Sequence, residues 1–569
     1  MRSNCVADIC TNKIYSEEYA DFMIDSGIAL NELTAIPDTC SLPLIEKTHS
    51  VYIPVKSVPN NMLSTYGYGA YPNCYGLMDT ESLNASGITR IQEVPGLNLR
   101  GDGVLIGIVD TGINYRHEAF IKEDGTSKVV AIWDQSINHD ELHPNNFPFG
   151  SEYRQEQINL ALKNADPLSI VPSNDEVGHG TFLAGIAAGN KNIDENFSGV
   201  VPNAEIAVVK LKQAKNNLLD FWCIPNDVIA FQKNDLIMGI RYLELLANEL
   251  NRPISIFIGI GTSQGAHDER GALSTYLSIL ASRVGVCLTI CAGNEGNSGH
   301  HYLGNVTGAS NKMEMVVAPN VSGFSMEFWG STPVNFSIDI VAPSGEYIPR
   351  IAPRYRLSRK IQLIFTNTVI YIDYQLVEAQ SGEQLILLRF VNPMEGLWTF
   401  NVYSEGNLSF IYHCWLPITK FLSEETHFID SSPDYTLTSP GNIFIPIVTT
   451  AYETENDARY IRASRGFMRN DNIAPTIASP GVNLIGPDTL GGYKTMSGTS
   501  LAAAHAAGAG AMLLEWGIIR KFYPQISSVE IRNLFIRGAT RSNQLTYPNK
   551  ELGYGLLNVY NAFETLRNR

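Results

Sequence analysis

Four short stretches hold residue types that do chemistry only in company. The run IVDTGIN sets Asp110 at the end of an apolar segment, EVGHGTFLAG sets His179 ahead of a run of small residues, and SGTSLAAAH sets Ser500 at the head of another. A serine hydroxyl is a weak nucleophile until a base takes its proton, and an imidazole base needs a carboxylate to fix its tautomer and stabilise its cation. The chain offers one candidate for each role, in the order Asp, His, Ser, which is one of the chain orders known for this chemistry. A fourth run, TICAGNEGN, places Asn294 in a glycine-flanked turn. Its amide, together with the backbone N–H of Ser500 at a helix start, would supply the two donors that a developing oxyanion requires.

These groups are remote in sequence, so a scaffold must gather them. VLIGIV (104–109), IAVVKL (206–211), ISIFIGI (254–260) and VCLTICA (286–292) read as buried strands, with TFLAGIAAG (181–189) and DLIMGIRYLELLANEL (235–250) as helices between them. That alternation predicts an α/β fold, a parallel sheet covered by helices on both faces, with active groups collected where strands end. The stretch KTMSGTSLAAAHAAGAGAMLLEWG (494–517) fits the scheme. A helix start offers N–H groups and a positive dipole end to Ser500, and the Ala/Gly run lets the helix pass tightly through the core. From 305 to 433 the rhythm changes to short β-like runs such as FSMEFWG, VIYIDYQLV and LWTFNVYS, separated by turn residues. This predicts an inserted all-β sandwich or jelly roll. The first 75 residues form a small α+β unit, with a helix expected over 16–25 (SEEYADFMID) and strands at CVADIC and HSVYIPVK. Its place ahead of a catalytic domain suggests a propeptide. The expected division is 1–75, 76–304, 305–433 and 434–569.

Taken in order, D-T-G, H-G-T, A-G-N and G-T-S-L-A resemble the motifs of the subtilisin-like serine proteases, over roughly residues 80–300 and 440–560. The resemblance implies a subtilisin-like fold, Asp110, His179 and Ser500 as a triad, and Asn294 in the oxyanion hole. It also implies that the strand around Gly259, Ile260 and Gly261 pairs with an extended protein or peptide substrate. The N-terminal unit, the β insertion and the run SLAAAHAAGAGAMLLEWGI further resemble the clostridial Csp-type germination proteases. That likeness implies a propeptide cut autocatalytically, acting as chaperone and inhibitor and able to stay bound. It also implies a substrate such as the proform of a spore-cortex hydrolase, and a bacterial cytoplasm or spore compartment. Subtilases of gut bacteria share the layout with other substrates. The Csp group also contains pseudoproteases that act as signalling partners; here all three triad positions are filled, which favours an enzyme. Three positions depart from the family pattern: Phe182 after H-G-T, Ala504 before His505, and Gly259 where serine is usual. The propeptide cut is expected between residues 66 and 80, ahead of helical chain from about Glu81.

The totals bound the rest. A chain of 569 residues exceeds one ordinary core, and 44% apolar with 17% charged residues describes a globular protein. A net charge of −16 without a dense Lys/Arg stripe argues against nucleic acid. The N-terminus lacks the basic-then-apolar order of a secretory signal. The most apolar stretch, Leu501 to Ile518, contains His505 and Glu515, so no membrane span is expected. The eight cysteines show no metal or redox spacing and read as free thiols, Cys287 and Cys291 as core residues. Neither a metal nor a cofactor is expected. MIDSGIAL repeats the Asp-Ser/Thr-Gly pattern at Asp25, the mark of an aspartic-protease dyad. The two copies lie too close together for two all-β lobes, and that reading leaves His179 and Ser500 unexplained. Ser497 reads as a neighbour of the site, His505 as buried helix packing and Glu176 as a solvated loop charge.

Overall fold

The computed structural model describes residues 4–77, 86, 88–93, 97–355, 357–406 and 408–567. Its centre is an eight-stranded sheet in the order Ile477–Pro480, Ile447–Tyr452, Val286–Cys291, Ile254–Ile258, Leu105–Asp110, Glu205–Lys210, Val129–Asp134 and Ser151–Arg154. Every neighbouring pair is parallel except the last, where Ser151–Arg154 forms an antiparallel edge. All six residues of Leu105–Asp110 are buried, and so are all six of Val286–Cys291. Side chains alternate between the faces of a strand. Ile106 and Ile108 join the core that holds Ala504 and Ala507, while Leu105 and Val109 join the core of helix Lys233–Glu249. With both faces covered, such strands read as unbroken apolar runs.

The helix Thr499–Leu514 runs through the first of these cores, and all 16 of its residues are buried. The Ser255 hydroxyl donates to the Ala507 carbonyl at 2.7 Å and the Thr289 hydroxyl to the Ala503 carbonyl at 3.0 Å, clamping the helix to the sheet. A Cβ on Gly510 would lie 2.3 Å from Cys287 Sγ, and one on Gly508 2.5 Å from Val200 Cβ. The small residues are therefore a spacing requirement. Extended to Ile519, the helix is long and apolar enough to cross a membrane, but 83% of its apolar window is buried inside the protein, as in a core helix.

Residues 301–428 build two antiparallel sheets. One has the order His301–Val306, Phe410–Trp415, Gly323–Gly330, Leu385–Val391, Val369–Gln375, Leu357–Gln362; the other has Tyr347–Ile351, Phe336–Val341, Gly396–Ser404, Ser310–Val317, His427–Phe428. Phe328, Phe390, Trp398 and Phe400 meet between them in one apolar core. The strand His301–Val306 belongs to this sandwich, so it begins ahead of residue 305.

The N-terminal unit corrects two expectations. CVADIC falls in a helix, Asn4–Tyr15, and the stretch read as a helix over 16–25 contains the strand Tyr19–Asp25. This strand pairs along its whole length with Thr48–Pro54, which in turn pairs with Cys40–Ile45. Phe22 and Ile24 enter the unit's own core, while Met23 and Asp21 face the body, where Asp21 pairs with Lys215 at 2.6 Å. Pairing and docking outweigh the local helical period. Free thiols were expected throughout, yet Cys10 is disulfide-bonded to Cys40, tying the first helix to that sheet. Cys74, Cys223, Cys287, Cys291 and Cys414 are free thiols; burial pushes those of Cys287 and Cys291 up to about 12.

Beyond the sheet the chain continues through a short helix, Met62–Tyr66, to the strand Cys74–Leu77. Of the range expected to be cut, residues 78–80 lie outside the described residues, as does the helical start expected at Glu81.

Candidate functional site

Asp110 ends the strand Leu105–Asp110, His179 opens the helix His179–Ala188, and Ser500 stands second in Thr499–Leu514. His179 Nδ1 lies 2.7 Å from Asp110 Oδ1, and its Nε2 lies 3.3 Å from Ser500 Oγ. The three side chains thus form one hydrogen-bonded line, and all three residues are buried. The Thr111 N–H also donates to Asp110 Oδ1, at 2.8 Å, and the Thr111 hydroxyl accepts from the Gly180 N–H at 2.9 Å. Strand end and helix start are therefore laced together around the imidazole.

Sequence reasoning passed over Asp175. Its Oδ1 accepts the Val177 and Gly178 N–H groups at 3.1 and 2.8 Å, and its Oδ2 accepts the Thr181 N–H and hydroxyl at 2.9 and 2.7 Å. A carboxylate here satisfies N–H groups that a helix start leaves open and favours its positive end. The signal was present: an acidic residue ahead of H-G-T has capping character.

Asn294 follows the strand Val286–Cys291, and its Oδ1 accepts the Thr499 N–H at 3.2 Å and the Thr499 hydroxyl at 3.1 Å. The Thr499 hydroxyl also accepts the Gly293 N–H at 3.1 Å. These contacts fix the orientation of the Asn294 amide, oxygen toward Thr499, and its NH₂ is the end that can donate. Thr499 thereby orients Asn294 from the residue next to Ser500.

The strand Ile260–Gly261 pairs antiparallel with Cys74–Leu77, Ile260 opposite Leu77 and Gly261 opposite Gly76. On its other side Cys74–Leu77 pairs with Phe231–Gln232, a second edge the sequence did not reveal. The chain's own N-terminal region thus supplies the middle strand of a three-stranded sheet. Gly259 sits against the line of Asp110, His179 and Ser500, where a Cβ would lie 3.2 Å from Ser500 Cβ and 3.4 Å from His179 Cε1.

The other singled-out residues lie apart from this chemistry. His505 is fully buried, hydrogen-bonded to Ser86, and burial pushes it down to about 3. The Ser497 hydroxyl accepts from the Asn483 N–H at 3.4 Å. Glu176 is exposed and pairs with Lys210 at 2.7 Å. Asp25 lies in the N-terminal sheet and accepts from the Thr48 hydroxyl at 2.7 Å, so the two Asp-Ser/Thr-Gly copies build no shared dyad. Phe182 is buried, its ring filling the space beside Gly486. Ala504 is buried in the core around the helix that carries Ser500. Among the described residues, no group of three His, Cys, Asp or Glu side chains is placed to hold a metal ion.

Comparison with known proteins gives one family. The model described as "Subtilase family" matches residues 101–555. The chain is 25% identical over 80% of its length to subtilisin-like protease SBT4.3 of Arabidopsis thaliana, and 23% identical over 82% to the minor extracellular protease Vpr of Bacillus subtilis (strain 168). It is 28% identical over 36% of its length to subtilisin-like protease SBT2.2 of Arabidopsis thaliana. It spans 61%, 52% and 24% of those relatives. Among solved structures, the CspB protease of Clostridium perfringens aligns with a TM-score of 0.75 at 29% identity, over 85% of this chain and 98% of that one.

Proposed function

The chain belongs to the subtilase family, and from that premise we propose that it is a serine endopeptidase in which Asp110, His179 and Ser500 act as the triad. The observation that carries this is the line of 2.7 and 3.3 Å contacts from carboxylate through imidazole to hydroxyl. Ser500 Oγ attacks the scissile carbonyl and gives its proton to His179 Nε2. Asp110 holds Nδ1–H and stabilises the imidazolium, and His179 then protonates the leaving amine. The Asn294 amide and the Ser500 backbone N–H receive the oxyanion.

The N-terminal region acts as a propeptide, chaperone and inhibitor together. The strand Cys74–Leu77, held along Ile260–Gly261, is the product-like segment. Its last pair, Leu77 opposite Ile260, lies next to Gly259, the position that abuts Ser500. We therefore place the self-cleaved bond between residues 77 and 80, within the range read from sequence. The insertion acts as a jelly-roll stability module. The likeness to the CspB protease supports a role in limited proteolysis of another protein, a spore-cortex hydrolase proform being the substrate class we favour.

The test is expression of the full chain followed by intact mass and N-terminal sequencing. Two fragments are expected, the second starting between residues 78 and 80, with Ser500→Ala remaining one chain. A wild-type chain that stays whole, with Ser500 unlabelled by a serine-directed phosphonate, would sink the endopeptidase and leave a binding partner.

A further inference from the structure

An extended peptide between two edges has alternate side chains facing opposite ways, and in this protein one of those directions is blocked. A Cβ on Gly76 would lie 2.6 Å from Ile418 Cδ1, with the Phe421 ring atoms at 3.3 and 3.4 Å behind it. Ile418 is fully buried and Phe421 nearly so, both in one cluster with Leu219 and Trp222. The obstacle is also pinned through its backbone. The Phe421 and Leu422 N–H groups donate to the Ile418 carbonyl at 2.8 and 3.1 Å. The Thr419 N–H and hydroxyl donate to Glu295 Oε1 at 3.0 and 2.9 Å. Glu295 is buried and adjoins Asn294, so the turn is fastened to the same loop that carries the oxyanion donor.

We propose that Ile418 and Phe421 form a wall that excludes side chains from the substrate position paired with Gly261, so that this enzyme requires glycine at that position, shortly before the bond it cuts. The proposal rests on reading Cys74–Leu77 as the substrate-like strand. The wall comes from the sandwich's own last connection, between Phe410–Trp415 and His427–Phe428, not from the α/β body that supplies Asp110, His179 and Ser500. Backbone pairing alone is indifferent to side chains; a fixed wall at one position converts that indifference into a requirement. The favoured substrates are exposed, extended segments with glycine at the position that pairs with Gly261.

The test is a double-substitution cycle in the full chain, combining Gly76→Ala or Gly76→Val with Ile418→Ala. Two signals are read: the rate of self-cleavage by intact mass, and the melting temperature in the uncut Ser500→Ala background. Overpacking one methyl against a fixed core should slow cleavage about 10-fold for Gly76→Ala, and about 100-fold or more for Gly76→Val. Ile418→Ala should return Gly76→Ala to within about 3-fold of the Ile418→Ala chain. Gly76→Ala should lower the melting temperature only where Ile418 is present. Equal cleavage of the wild-type and Gly76→Ala chains, or slow cleavage that Ile418→Ala fails to relieve, overturns the wall. If no chain cleaves but the melting temperatures remain coupled, the wall stands and the endopeptidase reading falls. If cleavage proceeds without coupling, the reverse holds.

Discussion

Gly259→Ala perturbs the reacting line without touching a reacting group. The new Cβ would lie 2.7 Å from Leu183 Cδ1, 3.2 Å from Ser500 Cβ and 3.4 Å from His179 Cε1. Ordinary contact begins near 3.4 Å, so the overlap with Leu183 is about 0.7 Å and that with Ser500 about 0.2 Å. Leu183 is fully buried and belongs to the helix that opens with His179, so relief moves either its rotamer or the helix itself. The Nε2–Oγ separation is already 3.3 Å, and a few tenths more carries it beyond hydrogen-bond range. Small-to-large strain of this kind costs about 1–3 kcal/mol. If the reacting geometry absorbs it, kcat falls about 5- to 150-fold. KM should move little, because the edge Ile260–Gly261 keeps its backbone groups. The assay is steady-state cleavage of a peptide spanning residues 72–80, with active sites titrated by a serine-directed phosphonate. A second chain carrying Leu183→Val should recover part of the loss. A Gly259→Ala enzyme with kcat within twofold of wild type would refute the argument that glycine here protects the line.

Asp175→Ala removes acceptors for three N–H groups and one hydroxyl at the start of the helix bearing His179; a loss of about 2–4 kcal/mol of stability is expected by chemical denaturation, with Asp175→Asn intermediate. Gly510→Val should be more damaging, because its Cβ alone lies 2.3 Å from Cys287 Sγ; low yield or a melting temperature reduced by several degrees is expected, whereas an unchanged melt would contradict the tight passage of the helix. Acid should destabilise the place where His267 of the body and His301 of the sandwich both stack on Trp415. Burial, above all, pushes His267 down to about 4 and His301 to about 3, while the unfolded chain binds these protons near pH 6.5. Between those values unfolding takes up protons, so stability falls as pH falls from about 6.5 toward 4, by up to about 3 kcal/mol per histidine. Melts across that window should shift downward, and His267→Gln should flatten the shift.

The central sheet was legible because its strands are buried on both faces, and the candidate site residues the structure brings together, Asp110, His179, Asn294 and Ser500, each stand in a contiguous motif. What stayed hidden was long-range. Nothing local to Phe231–Gln232 reveals that it flanks Cys74–Leu77, and nothing around Ile418 reveals that it overhangs Gly76. Tyr19–Asp25 read as a helix because its in-out pattern is lost when both faces are covered, one by its own unit and one by the body. The bond from Cys10 to Cys40 was unreadable because cysteine pairing depends on contacts made after folding.

Glu295 gives the sandwich a handle on the cleft. A single carboxylate joins the loop of Asn294 to the turn bearing Ile418 and Phe421, so the sandwich's last connection reaches the strand laid along Ile260–Gly261. Under the proposed wall, exchanging or remodelling that connection would redirect which sequences are accepted while Asp110, His179 and Ser500 are inherited unchanged, leaving selectivity free to drift on one module as the proposed triad is kept on the other.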